Sequence, residues 1–210
     1  MRKVIGVGCI VLGLVCLLIS VGFVVYNRLE AERGEKASQE LLQTVQANIS
    51  AGKAEAPPEE IPEETHPEET QPQETEPQQM LTVQVGNYRS IGVLSIPVLE
   101  LELPVLTDWS YEKLRDAPCQ YFGSCYTSDF VIAAHNYPSH FGRLSQLQAG
   151  DLVLFTDVAG DIYCYEVVLL ETLPPTATKE MITSGFELSL YTCTPGGSNR
   201  VTVRCRAVNP

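Results

Sequence analysis

Positive charge is scarce in this chain. Its 210 residues carry 14 Lys and Arg against 26 Asp and Glu, a formal net charge of −12, and nothing in that balance points to the basic stripe on which nucleic acid is held. The deficit is local: residues 51–80 hold nine glutamates and one lysine, whereas residues 81–210 hold 13 acidic and eight basic side chains and are only mildly acidic. Histidine is scarcer still, with three in the chain. Residues 57–75 have almost no apolar side chains.

Long apolar runs are limited to one, the 23 residues Val4 to Tyr26. At about 1.5 Å per residue such a helix spans roughly 30 Å of hydrocarbon. The run is longer than the 7–15 residues typical of a secretory signal, and it ends in Val21-Gly22-Phe23-Val24-Val25-Tyr26, without the small-residue pattern of a cleavage site. It therefore reads as an uncleaved transmembrane signal anchor, residues 1–28. Arg2 and Lys3 favour a cytoplasmic N-terminus, and the acidic stretch that follows fits an external C-terminus, although Arg28, Arg33 and Lys36 weaken the asymmetry.

Residues 29–80 read as a juxtamembrane segment and a stalk. Leu41, Leu42 and Val45 give the first part a helical face, so that it forms a helix or stays disordered. The second part, Pro57 to Thr75, is a degenerate Pro-x-Glu-Thr repeat that cannot offset the entropy of ordering itself and is expected to be disordered and extended. Such a stalk would lift the rest of the chain off the membrane. His66 lies within it as a solvated residue.

From residue 81 the pattern changes to short strands with turn signals: Ile91–Ile96, Leu101–Leu106, Gln120–Phe122, Phe130–His135, Asp151–Thr156, Ile162–Leu170, Glu187–Cys193 and Arg200–Arg206. Ser110–Arg115 and Phe141–Leu147 read as short helical turns, and Asp157-Val158-Ala159-Gly160-Asp161 as a hairpin turn. Eight strands in about 130 residues predict an all-β domain, a closed eight-stranded β-barrel with short helices spanning 81–210.

Five cysteines fall in this domain, Cys119, Cys125, Cys164, Cys193 and Cys205. With an odd number, at least one thiol stays unpaired in an oxidising compartment. Cys119 and Cys125 are close in sequence, and Cys164 could pair with Cys205, leaving Cys193 free; alternatively all five are reduced. Cys193 closes an alternating strand, a Pro195-Gly196-Gly197 turn follows, and Arg200 opens the next strand. His135 closes the apolar run Val131-Ile132-Ala133-Ala134. Singly, each has an ordinary structural reading. Together they suit acyl transfer: a thiolate needs positive charge beside it, a histidine can supply that and protonate a leaving amine, and an arginine can hold an oxyanion. His140, in the loop after Tyr137-Pro138-Ser139, is a rival base without a strand to aim it.

Ser189-Leu190-Tyr191-Thr192-Cys193 resembles the sortase signature T-L-x-T-C, Arg200 matches that family's arginine on the following strand, and His135-Asn136 resembles its histidine setting. The resemblance covers about residues 88–208, including Ile91 to Pro97, Leu103-Pro104-Val105 and Phe141-Gly142-Arg143-Leu144. It departs at Ser189, at Ala134 where glycine is frequent, and in a loop of six residues between Cys193 and Arg200. The resemblance implies a sortase-type barrel and a membrane-anchored cysteine transpeptidase of Gram-positive type that cleaves an LPxTG-like sorting signal between Thr and Gly. Cys193 would form a thioester, His135 would act as acid and then base, and Arg200 would stabilise the oxyanion. The partners implied are LPxTG-like surface proteins and an amine on a cell-wall precursor such as lipid II; no cofactor is called for. The alternatives are a cell-surface cysteine hydrolase and a non-catalytic binding module.

Ala134, Ile182 and Thr192 are candidate substrate-binding residues, with Leu94, Ala133 and Val168 as further candidates for an apolar groove, and the Glu171–Phe186 loop is expected to shape motif choice. One N-terminal anchor, with no apolar span after Arg206, fits the class A-like or class D-like layout better than the pilin-polymerising one. Asp108-Trp109 resembles a lid dipeptide but falls after the second strand, where a lid is not expected. Asp108, Glu112 and Asp116, which could join Glu180 around calcium, are read as a solvated helix face.

Overall fold

The computed structural model describes residues 2–55 and 79–208. The repeat read as a disordered stalk, with His66, lies outside the described residues.

Nine strands form one sheet: β1 Val83–Val85, β2 Tyr88–Ile96, β3 Leu101–Leu106, β4 Cys119–Phe122, β5 Phe130–Ala133, β6 Leu152–Asp157, β7 Ile162–Leu173, β8 Leu188–Cys193 and β9 Arg200–Ala207. Their order is β1-β2-β3-β4-β5-β8-β9-β7-β6, and β6 pairs back onto β2. The eight strands β2 to β9 thus close a barrel, as the strand pattern predicts, and β1 is a ninth short strand on the outside. Each expected strand is present within a few residues of its expected ends.

Closure depends on β2 changing partners. Its first residues pair with β1 (Ser90 opposite Val83) and its later ones with β6 (Gly92 opposite Asp157), across an irregularity between Ser90 and Gly92. Gly92 has φ +154°, and a Cβ there would stand 2.1 Å from the Thr156 carbonyl oxygen. No side chain fits, so glycine is what lets β6 approach. The interior is filled from all round the ring by Leu94, Ile96, Leu103, Phe130, Ile132, Phe155, Leu188, Leu190 and Val203, with Phe130 and Phe155 edge to face at 5.1 Å.

A second apolar cluster lies outside the barrel and involves the N-terminal helix. α1 runs unbroken from Arg2 to Ser50, and its outer part, from Ile10, is fully exposed and apolar enough to cross a membrane. Its last turns are not free in solution: Val45 is wholly buried, with Leu41, Leu42 and Ile49 packed beside it, against Val83, Val85, Leu106, Leu114 and Ala117. Gln46 Nε2 donates to Glu102, and Asn48 Nδ2 to the Gln84 carbonyl. The helical face formed by Leu41, Leu42 and Val45 therefore belongs to the barrel's packing. Beyond α1 the chain pairs at once with the barrel, because Glu55 and Thr82 exchange backbone hydrogen bonds of 2.8 Å in both directions.

The six cysteines whose side chains are described are free thiols. Cys164 stands opposite Leu154 on β6, while Cys205 stands opposite Val167 and Leu188 inside the barrel, so the pairing considered for them does not form. Burial pushes the thiols of Cys119, Cys125 and Cys205 each up to about 12, which leaves them unreactive.

Candidate active site

β8 lies between β5, to which it runs parallel, and β9, to which it runs antiparallel. On one side Ala133, the last residue of β5, stands opposite Tyr191, so that His135 leaves β5 at the end of the sheet where Cys193 closes β8. On the other side Cys193, the last residue of β8, stands opposite Arg200, the first of β9. The three residues that the sequence singles out thus sit at one end of three adjacent strands, with Cys193 on the strand between the other two. All three line one cleft of about 200 Å³.

The turn that fixes this register is Thr194–Asn199. Thr194 and Asn199 close it through Thr194 N–H to the Asn199 carbonyl (2.9 Å) and Asn199 N–H to Thr194 Oγ1 (3.1 Å). Gly196 and Gly197 have φ of +84° and +76°, left-handed conformations that glycine adopts without steric cost. Arg200 Nη1 donates to the carbonyls of Gly197 and Asn199, both at 3.1 Å. A guanidinium has five N–H donors, and those on Nε and Nη2 make no hydrogen bond among the described residues.

His135 lies just beyond β5, on a backbone held from β8: the Ala134 N–H donates to the Tyr191 carbonyl at 3.2 Å, and Thr192 Oγ1 donates to the Ala134 carbonyl at 2.8 Å. The strand stops at Ala133, two residues short of the expected end, which frees His135 to turn into the cleft. Its ring stacks on Tyr137 at 5.0 Å. Burial, helped by the positive charge of Arg115, lowers its basicity, so the neutral imidazole predominates near pH 7. His140, the rival base, is wholly buried and outside the cleft; desolvation pushes it down to about 4. Neither of its ring nitrogens has a hydrogen-bond partner among the described residues, and desolvation outweighs the Gly34 backbone, which favours the charged ring.

Of the candidate substrate-binding residues, Ala134 lines the cleft, as does Ala133. Thr192 is buried and acts through its hydrogen bond to Ala134. Ile182 is not among the lining residues; its neighbour Met181 is. Leu94 faces the barrel interior, and Val168 is exposed on β7 away from the cleft. The Glu171–Phe186 loop does form a wall, with Pro174, Pro175 and a short helix α3, Thr178–Ile182, contributing Ala177, Thr178 and Met181.

The opposite wall is aromatic and was not legible in the sequence. Trp109 packs on Tyr111 and Tyr121, each with centroids at 5.5 Å, and Tyr121 meets Tyr191 at 5.3 Å. Trp109, although it follows β3, lines the cleft with these tyrosines. The acidic residues considered for calcium are not brought together: Asp116 accepts the Tyr88 hydroxyl at 2.7 Å, and among the described residues no three His, Cys, Asp or Glu side chains form a metal-binding group.

The loop wall is pinned by Arg204, which is 2% exposed. Its Nε donates to Glu171 at 2.7 Å, Nη1 to Ser189 Oγ at 2.8 Å, and Nη2 to the Glu180 carbonyl at 2.8 Å. Ser189, the departure from the sortase signature, keeps the hydroxyl that this arginine needs.

The sequence matches the Sortase family, described as a sortase domain, over residues 94–208, and the chain belongs to that family. Its fold is similar to that of sortase A from Corynebacterium diphtheriae (22% identity, TM-score 0.53, 59% of this chain and 63% of that one). It is also similar to sortase C1 from Streptococcus agalactiae (26% identity, TM-score 0.51, 58% and 68%) and to a sortase D5 transpeptidase from Clostridium perfringens (19% identity, TM-score 0.51, 57% and 79%). No curated protein matches at the level of sequence.

Proposed function

We propose that this protein is a membrane-anchored sortase transpeptidase, with Cys193 as nucleophile, His135 as acid and base, and Arg200 as oxyanion and substrate ligand. The observation that supports this best is the placement of all three at one end of β5, β8 and β9 around a single cleft. Cys193 Sγ attacks the Thr carbonyl carbon of an LPxTG-like signal. The oxyanion charge is met by the N–H groups of Arg200, which keep their positive charge at any physiological pH. Imidazolium at His135 protonates the leaving glycine amine, giving a thioester. An incoming amine then loses its proton to His135 as it displaces the thiol. Burial and Arg115 disfavour the imidazolium at His135, in keeping with the family expectation that the thiolate–imidazolium pair is a minority of molecules.

The apolar α1 anchors the domain as a single-pass segment, with the catalytic domain on the outer face of the cell membrane of a Gram-positive type cell. The aromatic wall and the Pro174-Pro175 wall suit the leucine and proline of a sorting signal, and the acceptor is an amine on a cell-wall precursor of the lipid II kind. The full chain in lipid nanodiscs, given LPxTG-type peptides and an added amine and read by mass spectrometry beside Cys193→Ala, tests this. A Cys193-dependent peptide–amine adduct is expected. Cleavage without an adduct would make the protein a hydrolase, and neither cleavage nor thioester with any peptide would make it a binding module.

A further inference from the structure

The catalytic domain is joined to the apolar run by α1, which docks on the barrel before the acidic repeat begins. Two observations establish which part of the chain is in series between them. α1 continues from the apolar run to Ser50 without a break, and its last turns are buried against the barrel through Val45, Leu41 and Leu42. The reciprocal Glu55–Thr82 pair then holds together the two points at which the chain leaves for and returns from residues 56–81. With both points held on the barrel, the chain between them is not in series between the barrel and the apolar run.

The helix also serves as a ruler for orientation. At Gly34 a Cβ would stand 2.7 Å from the Arg115 carbonyl oxygen and 3.0 Å from the ring of Tyr137, so α1 and the loop after β5 touch backbone to ring. Tyr137 in turn stacks on His135 at 5.0 Å. At Ile49, fifteen residues or about 22 Å further along the axis, the helix is beside Gly160 in the β6–β7 turn, the nearest atom lying 3.9 Å from a Cβ built on that glycine. The His135 end of the barrel is therefore the end nearer the apolar run, and the Gly160 end is remote. Tyr26 and Arg28, residue types that settle at the headgroup level, close the apolar run. Gly34 is eight residues past Tyr26, about 12 Å along the axis, whereas the headgroup layer is roughly 5–7 Å deep on each side.

We propose that the cleft end of the barrel is held against the bilayer surface by the docked α1, so that the site meets an amine carried on a lipid headgroup. The choice of acceptor rests on the transpeptidase reading above; the placement does not. It is measured on the full chain in nanodiscs by energy transfer from a fluorescent unnatural amino acid at Ser139 or at Ala159 to an acceptor dye on the lipid headgroups. Transfer from Ser139 is expected to be several-fold greater than from Ala159. Seven helical residues inserted after Arg28 add about 10 Å while turning the barrel by only about 20°, and should lower transfer from Ser139. Replacing residues 57–78 by a short Gly-Ser link should change neither site. Equal transfer from the two sites, or a change on shortening the repeat with none on lengthening the helix, overturns the placement. In the same variants, cleavage of a soluble LPxTG-type peptide should be unaltered by the insertion, while transfer to a lipid bearing a glycine headgroup falls at least several-fold. Absence of peptide cleavage even in the unaltered chain would refute the transpeptidase reading and leave the placement standing. Equal transfer to the glycine lipid with and without the insertion would overturn the inferred acceptor.

Discussion

Ser189→Ala removes one oxygen from the network that pins the Glu171–Phe186 wall, and its consequence can be worked from the contacts. Arg204 is 2% exposed and Ser189 wholly buried, so water cannot replace the lost acceptor. A hydrogen bond to a charged donor contributes about 1.5–3 kcal/mol, and Nη1 keeps only the Met181 carbonyl at 3.4 Å and the Met181 sulfur at 4.0 Å. The ion pair with Glu171 offsets little of the loss, since that carboxylate is one-third exposed and already spoken for by Nε. A loss of about 2 kcal/mol is expected, which for a domain of this size lowers Tm by roughly 5–12 °C. Arg204 also holds the Glu180 and Met181 carbonyls of α3, and Met181 faces the cleft. The KM for a sorting peptide should therefore rise more than kcat falls. Ser189→Thr keeps the hydroxyl and should restore both Tm and KM. Thermal melts of the three proteins, with peptide kinetics, decide the matter: a Ser189→Ala protein that melts within a degree of the parent, or a Thr variant no better than Ala, refutes the argument.

Three further outcomes are expected. His140 is held near 4 in the folded chain against an ordinary 6.5, so the unfolded chain binds more protons between those values. Stability is then flat above about pH 6.5 and falls as pH drops towards 4, by up to about 3 kcal/mol; denaturant melts across pH should show this, and His140→Phe should abolish it. Arg115→Gln removes a positive charge that lowers the basicity of His135, so the His135 titration followed by NMR, and the alkaline limb of the rate profile with it, should move to higher pH; no movement would mean that Arg115 is screened. Val45→Ala empties a fully buried site between α1 and the barrel and should cost about 2 kcal/mol with kcat unchanged, as read by urea melts.

The parts of this molecule that were legible in its sequence are those specified by neighbours along the chain. The alternation in Leu188–Cys193 and Arg200–Ala207, with the Pro-Gly-Gly turn between, fixes a hairpin, and the hairpin fixes Cys193 opposite Arg200. Strand β1 was missed because three residues are too few for a period to show. The aromatic wall could not be foreseen, because Trp109, Tyr121 and Tyr191 come from three segments that meet only when the sheet closes. Arg204 was equally silent: an arginine alternating within a strand reads as an outward residue, and only its four oxygen acceptors reveal why it can be buried. The helix offers the sharpest contrast. Leu41, Leu42 and Val45 announce an apolar face, but whether such a face meets a partner is decided by a surface distant in sequence, here β1, β3 and α2, Lys113–Asp116. That surface exists because β1 and Ala117 leave an apolar patch outside a barrel that is otherwise complete. A barrel satisfied in its interior had no structural need of this patch, and its presence is therefore best explained by the helix it receives.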